Sequence, residues 1–281
     1  MTARRCGVLG HPVSHSLSPL LHRTAYAELG LDWTYDAHDV TADGLADFVS
    51  ALDLTWRGLS LTMPLKRAVL PLLDELDDTA RAAGAVNTVL LEDGRRLGFN
   101  TDVGGLVAAL RATGDLPRGR AVVLGSGATA ASVLAALAAL GVPSAVLRVR
   151  DEGRAEVTVR AGVGLGLDVV VARLDDPWPD EPGLLVSTVP SAVAAALVPD
   201  TALREVVGDV AYDPWPSPLL VRAAQLGART ASGLDLLVHQ AVAQVRLMTG
   251  RGVDPEPLLA AALGAVHSRA PRASAVDHER G

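Results

Sequence analysis

The 281-residue chain is 49% hydrophobic and 20% charged, which is length for about two domains and too much apolar content for general disorder. Its 25 basic and 32 acidic side chains leave a net charge of −7 without a Lys/Arg cluster of the size phosphate-backbone binding needs, so nucleic acid is not an expected partner. The single cysteine, Cys6, excludes an internal disulfide, and the N-terminus runs into a short strand rather than a long apolar leader, so a cytoplasmic protein is expected.

Residues 6–10 (CGVLG) read as a strand, followed by the loop HPVSHSLS and an amphipathic helix over about 19–29, with Ser18 as N-cap and Pro19 at the first helical position. Residues 33–40 read as a second strand, 44–52 as a helix and 57–63 as a third strand, after which Pro64 opens a helix containing Lys66. Residues 85–92 and 95–102 form a β-hairpin that turns at Asp93-Gly94. Such alternation of strand and helix predicts a mostly parallel sheet with helices packed on it.

After Asp102, GGLVAALRAT makes a helix, and 121–140 gives a strand, a glycine turn and a second helix. Residues 121–147 carry no charge, but their glycines, serines and Pro143 divide them into short elements, so no membrane span is expected. Later strands fall at 144–149, 167–172, 183–189 and 206–212, with crossover helices between some of them. Residues 232–250 form a long helix capped by Ser232 with Asp235 three residues on, and Gln240 and Gln244 share one of its faces. The polar segment 268–281 reads as a mobile tail.

Twenty-four of the basic residues are Arg and one is Lys, Asn occurs only at positions 87 and 100, and Ile is absent, a bias of codon usage that makes the survivors informative. Guanidinium stays protonated, so it cannot replace a lysine that must give up a proton. Lys66 is therefore a candidate acid/base group, against the plainer alternative of a solvated surface lysine. The run Gly125-Ser126-Gly127-Ala128-Thr129-Ala130 lies between an apolar strand and an apolar helix, where the first glycine permits a tight turn and the second lets backbone approach a diphosphate. An ordinary strand-to-helix turn is the competing reading. At the end of the next strand Arg150 and Arg154 suit the 2′-phosphate of NADP, while Asp151 suits the free ribose of NAD. The seven histidines form no metal-ligand pattern, since His11 and His15 lie in a proline-bearing loop.

Taken together, GHPVSHSLSP (10–19), SLTMPLK (60–66), GAVNT (84–88), GFNTDVGG (98–105), GSGATA (125–130), STVPS (187–191), DVAYDPWPSPL (209–219) and SGLDLLVHQA (232–241) resemble the shikimate dehydrogenase family over nearly the whole chain. Both asparagines and the lone lysine fall inside these segments. The resemblance implies an α/β architecture: an N-terminal substrate domain with a mostly parallel sheet (1–103 and 232–267) and a Rossmann-like dinucleotide-binding domain (104–231). It implies reversible reduction of 3-dehydroshikimate to shikimate with NADPH, on the route to aromatic amino acids, with NAD as an alternative cofactor. Lys66 and Asp102 carry the acid/base work in the family pattern. Hydride arrival makes the carbonyl oxygen alkoxide-like, so an ammonium held by a carboxylate can stabilise and protonate it. Asp102 taken alone would instead read as a helix N-cap.

Ser16, Ser18 and Tyr212 match the family's carboxylate contacts, with the two serines two apart in an extended loop. Thr62, Asn87 and Gln240 match contacts to ring hydroxyls, the alternative for Gln240 being an exposed helix position. Gly125, Ser126, Gly127, Ala128, Arg150, Asp151, Arg154, Thr188 and Gly233 fall to the cofactor. Ser18 favours shikimate over quinate, for which relatives tend to carry threonine. Three alternatives stay open: an NAD-dependent quinate or aminoshikimate dehydrogenase, a non-catalytic metabolite sensor with the same fold, and a monomeric or homodimeric state.

Overall fold

The computed structural model describes residues 3–178 and 183–269. Among the described residues, twelve strands form two six-stranded sheets. The first holds Arg5–Gly10 (β1), Thr34–Asp39 (β2), Trp56–Leu61 (β3), Glu75–Leu76 (β4), Thr88–Glu92 (β5) and Arg95–Phe99 (β6), in the order β2-β1-β3-β5-β6-β4. β1 runs parallel to β2 and β3, and β4 parallel to β6, while β5 is antiparallel to both neighbours. The hairpin turns at Asp93 and Gly94, whose φ values of 50° and 74° are those of the tight turn that an Asp-Gly pair favours.

The second sheet is wholly parallel: Arg120–Leu124 (β7), Ser144–Val149 (β8), Asp168–Arg173 (β9), Leu184–Ser187 (β10), Val206–Asp209 (β11) and Arg229–Ser232 (β12), in the order β12-β11-β10-β7-β8-β9. Its central strands are buried on both faces, as the apolar runs AVVL and LLV require. Both β4 and β12 went unread in the sequence, as did the helices Asp78–Ala83 and Pro255–Arg269. No helix among the described residues is long and apolar enough to cross a membrane.

Two helices join the halves. Thr101–Ala112 leaves the first sheet for the second, Gly233–Thr249 returns, and the two pack side by side. The return helix starts at a capping box, in which Ser232 and Asp235 exchange side-chain-to-backbone hydrogen bonds, and stops at Gly250 in a left-handed conformation. Its apolar face and that of Pro255–Arg269 complete a core with Leu17, Leu21 and Ala25 from the chain's beginning. Arg269 is helical and donates to the His15 carbonyl, so the segment 268–281 begins as helix; residues 270–281 lie outside the described residues.

His22 is fully buried, stacked on Tyr35 at 3.9 Å, with Nδ1 3.0 Å from the Ser18 carbonyl. Burial pushes its pKa down from 6.5 to about 4. The fold therefore favours neutral imidazole; this stabilisation is complete above pH 6.5 and is lost as pH falls toward 4. Urea unfolding at pH 7 and pH 4.5 is expected to show a fall on the order of 2–3 kcal/mol that is largely missing in His22→Asn. Equal pH slopes in the two proteins would refute it.

Candidate active site

β3 runs directly into Thr62-Met63-Pro64 and the one-turn helix Leu65–Ala68. Leu65 is buried in the core of the first sheet, and the Lys66 carbonyl accepts from Val86 N–H at 2.8 Å, so the lysine is fixed at both its neighbour and its own backbone. Lys66 Nζ donates to Asp102 Oδ2 at 2.7 Å, with side-chain exposures of 14% and 7%. The other oxygen, Oδ1, accepts from Asn87 Nδ2 at 2.8 Å. Asp102 sits in the first turn of its helix, where the aligned backbone dipoles favour a negative charge.

Asp102 is not the N-cap. That place belongs to Asn100, whose Oδ1 accepts from Val103 N–H and whose Nδ2 donates to the Ala85 carbonyl and to Ser132 Oγ. Capping is thus done by a residue that also ties the helix start to both halves, which frees Asp102 to face the lysine. Asn87 braces the same helix start, since its Oδ1 accepts from Thr101 N–H and Thr88 Oγ1 while its Nδ2 holds Asp102.

Ser18 is not a cap either. The helix begins at Ser18 itself after Leu17, which makes no side-chain cap. Leu17 is helical rather than extended, and the Ser18 N–H donates to Ser16 Oγ at 3.2 Å, so Ser16 supplies the local acceptor. Gln240 is buried rather than exposed, since its face of the helix turns toward the Lys66–Asp102 pair; its Nε2 donates to the Leu237 carbonyl and its Oε1 lies 3.4 Å from Asn87 Nδ2. Tyr212 packs against the core that holds Leu17, Leu21 and Leu234, and burial raises its pKa above the ordinary phenol value.

A cavity of about 210 Å³ brings Ser16, Ser18, Thr62, Lys66, Asn87, Asp102, Tyr212 and Gln240 together, and Gly233 lines it too. Thr129, Ser60 and Gln244 also line it without having been assigned a role from sequence. Thr129 was legible as part of the glycine run; its hydroxyl is 3.4 Å from Lys66 Nζ and brings the cavity against the second half.

The glycine turn lies at the cavity's edge. Gly125 has φ +104°, and a Cβ there would stand 2.5 Å from Thr188 Oγ1, which itself donates to the Leu124 carbonyl. Gly127 is the N-cap of the helix Ala128–Ala139 and offers no side-chain partner to the first-turn N–H groups. This is a cradle for an anion, so the residues present fit a dinucleotide diphosphate. The loop after β8 stands apart from the cavity's lining: Asp151 Oδ1 accepts from Gly153 N–H, its Oδ2 lies 3.6 Å from Arg154 Nε, and Arg150 is exposed.

The sequence matches the family model for the shikimate dehydrogenase substrate binding domain over residues 8–89 and that for the shikimate 5'-dehydrogenase C-terminal domain over 233–263. The shikimate dehydrogenase (NADP(+)) of Moorella thermoacetica is 40% identical over 257 residues, covering 87% of each chain. The chain belongs to the shikimate dehydrogenase family. The crystal structure of Mycobacterium tuberculosis shikimate dehydrogenase has a TM-score of 0.84 at 37% identity, covering 93% of this chain and 99% of that one. The Thermus thermophilus shikimate dehydrogenase structure in complex with NADP(H) and shikimate has a TM-score of 0.79 at 35% identity over 93% and 99%. The two-sheet architecture is shared with these shikimate dehydrogenases.

Proposed function

We propose that the chain catalyses the reversible NADPH-dependent reduction of 3-dehydroshikimate to shikimate, in the cytoplasm and as a step toward aromatic amino acids. The carrying observation is the Lys66–Asp102 pair at 2.7 Å, buried in a cavity whose other polar groups are hydroxyls and amides. Bound NADPH supplies the hydride. Lys66 donates a proton to the carbonyl oxygen as negative charge develops there, and Asp102 fixes the ammonium and accepts from a neighbouring hydroxyl. Ser16, Ser18 and Tyr212 hold the carboxylate, and Thr62, Asn87 and Gln240 read the ring hydroxyls. In this reading residues 1–103 with 232–267 bind substrate and 104–231 bind the cofactor.

Gly125, Ser126, Gly127 and Ala128 would hold the diphosphate, with Thr188 and Gly233 shaping the space beside it. Arg150, Arg154 and Asp151 would meet the adenosine end. Asp151 is occupied by Gly153 N–H and Arg154, which supports its role as an organiser of the loop rather than a ribose ligand. Arg150→Ala is accordingly expected to raise KM for NADP by about tenfold and to leave KM for NAD nearly unchanged, as steady-state kinetics with each cofactor would show. A larger effect on NAD would assign the loop to the free ribose.

Initial rates with NADP and NAD, each against shikimate and quinate, test the whole reading. The highest kcat/KM is expected for NADP with shikimate. A preference for NAD with quinate would favour the polyol-oxidising alternative, and ligand binding without any cofactor reduction would favour a sensor.

A further inference from the structure

The catalytic lysine is followed by a second cation that the reaction does not use. Arg67 shares the helix Leu65–Ala68, and while Lys66 Nζ approaches Thr129 Oγ1, Arg67 Nη2 donates to Thr158 Oγ1 at 2.8 Å. Thr158 is fully buried on the helix Glu156–Gly164, and its hydroxyl donates to the Ser126 carbonyl at 2.7 Å. Consecutive side chains of the first half thus reach two hydroxyls that flank the glycine turn. The hydrogen bonds run in one direction, from guanidinium to hydroxyl to the backbone of the turn.

Arg67 also stands out among the shielded arginines. Arg57 pairs with Glu92, and buried Arg148 donates to three carbonyl oxygens and lies over the Trp178 ring. Arg67 has one side-chain hydrogen bond and no carboxylate partner among the described residues, and its buried Nε, like that of Arg148, has no partner. Burial lowers its pKa, with no acid nearby to offset the effect. A half-buried cation without a counter-charge favours an anion that completes it. Thr158 ties Arg67 to the Ser126 carbonyl, immediately before the uncapped helix start at Gly127 that forms the anion cradle.

We propose that Arg67 is a positioning residue that couples occupancy of the dinucleotide site to the placement of Lys66. Its charge favours an anionic diphosphate at the glycine turn, and its tie through Thr158 holds that turn against the lysine helix. The identity of the anion, a pyridine dinucleotide, rests on the dehydrogenase reading above.

Titrating the protein with NADPH alone, read by cofactor fluorescence, tests this without turnover. Arg67→Gln keeps a donor for Thr158 but removes the charge, and is expected to weaken NADPH binding about tenfold at low ionic strength, with the gap narrowing as salt is added. Arg67→Lys is expected to recover most of that loss. Thr158→Val, which keeps the charge, should bind NADPH within about twofold of the parent yet turn over about tenfold more slowly, because the link to the lysine helix is gone. Should Arg67→Gln fail to fold, Arg67→Met, which removes the donor along with the charge, still reads the charge through the salt dependence of NADPH binding. Parental NADPH affinity in the uncharged variant, or a loss that neither salt nor lysine alters, would overturn the proposal. If shikimate proves not to be the substrate, the salt-dependent NADPH result still stands; if the Arg67 proposal fails, parental turnover of shikimate is untouched.

Discussion

Lys66→Ala is expected to lower kcat by about three orders of magnitude while changing KM for shikimate and the Kd for NADPH only a few-fold. Proton donation is needed only as charge builds on the carbonyl oxygen, so its loss falls on turnover rather than binding. Neighbouring groups do not compensate: Thr129 is the other hydrogen-bonding partner of Nζ, and a hydroxyl is far too weak an acid. Asp102 would keep its bond from Asn87 and its place at the helix start, so the cavity should survive the substitution. Near-normal turnover in Lys66→Ala would remove the mechanism. Asp102→Asn gives a second reading, since it preserves shape while replacing the charge that orients the ammonium, and should cost about a hundredfold in kcat.

Gly233→Ala should be the most damaging change outside the acid/base pair. A Cβ there would stand 2.4 Å from the Val210 carbonyl oxygen and 2.7 Å from its carbon, and both atoms are backbone, so no rotamer change relieves the overlap. The capping box at Ser232 and Asp235 holds the helix start in place, and the segment that must yield leads to Tyr212 two residues on. A destabilisation of roughly 3 kcal/mol is expected, seen as a Tm several degrees lower, together with a raised KM for shikimate as Tyr212 moves. Gly104→Ala is the matched control: it is helical with nothing within 4 Å of its added Cβ, and should be neutral or gain about 0.5–1 kcal/mol. Equal Tm values for the two variants would refute the steric account.

The features legible in the sequence were those imposed by local backbone demands. Asp93-Gly94, Gly125 and the Ser232/Asp235 box each answer a conformational need a few residues wide. Lys66 was legible for another reason, because the chain's arginine bias left a single ammonium. What stayed hidden depends on distant partners. β4 is two residues long, and β12 carries little apolar alternation, so each is a strand only because β6 or β11 accepts it. Asn100 and Asp102 are equally good caps by type, and the choice between them is made by Ala85 and Ser132, which sequence distance conceals. Ser60 and Gln244 gained no role, because a buried polar face that lines a cavity has no apolar periodicity to mark it.

The returning helix has a bearing on biosynthesis. Leu17, Leu21 and Ala25 emerge early, but the surfaces that cover them, on Gly233–Thr249 and Pro255–Arg269, are translated only after the second sheet. A nascent polypeptide therefore carries an uncovered apolar patch until the whole second sheet has been made, and premature stop codons just past that sheet would yield products that hold the lysine but lack Gln240.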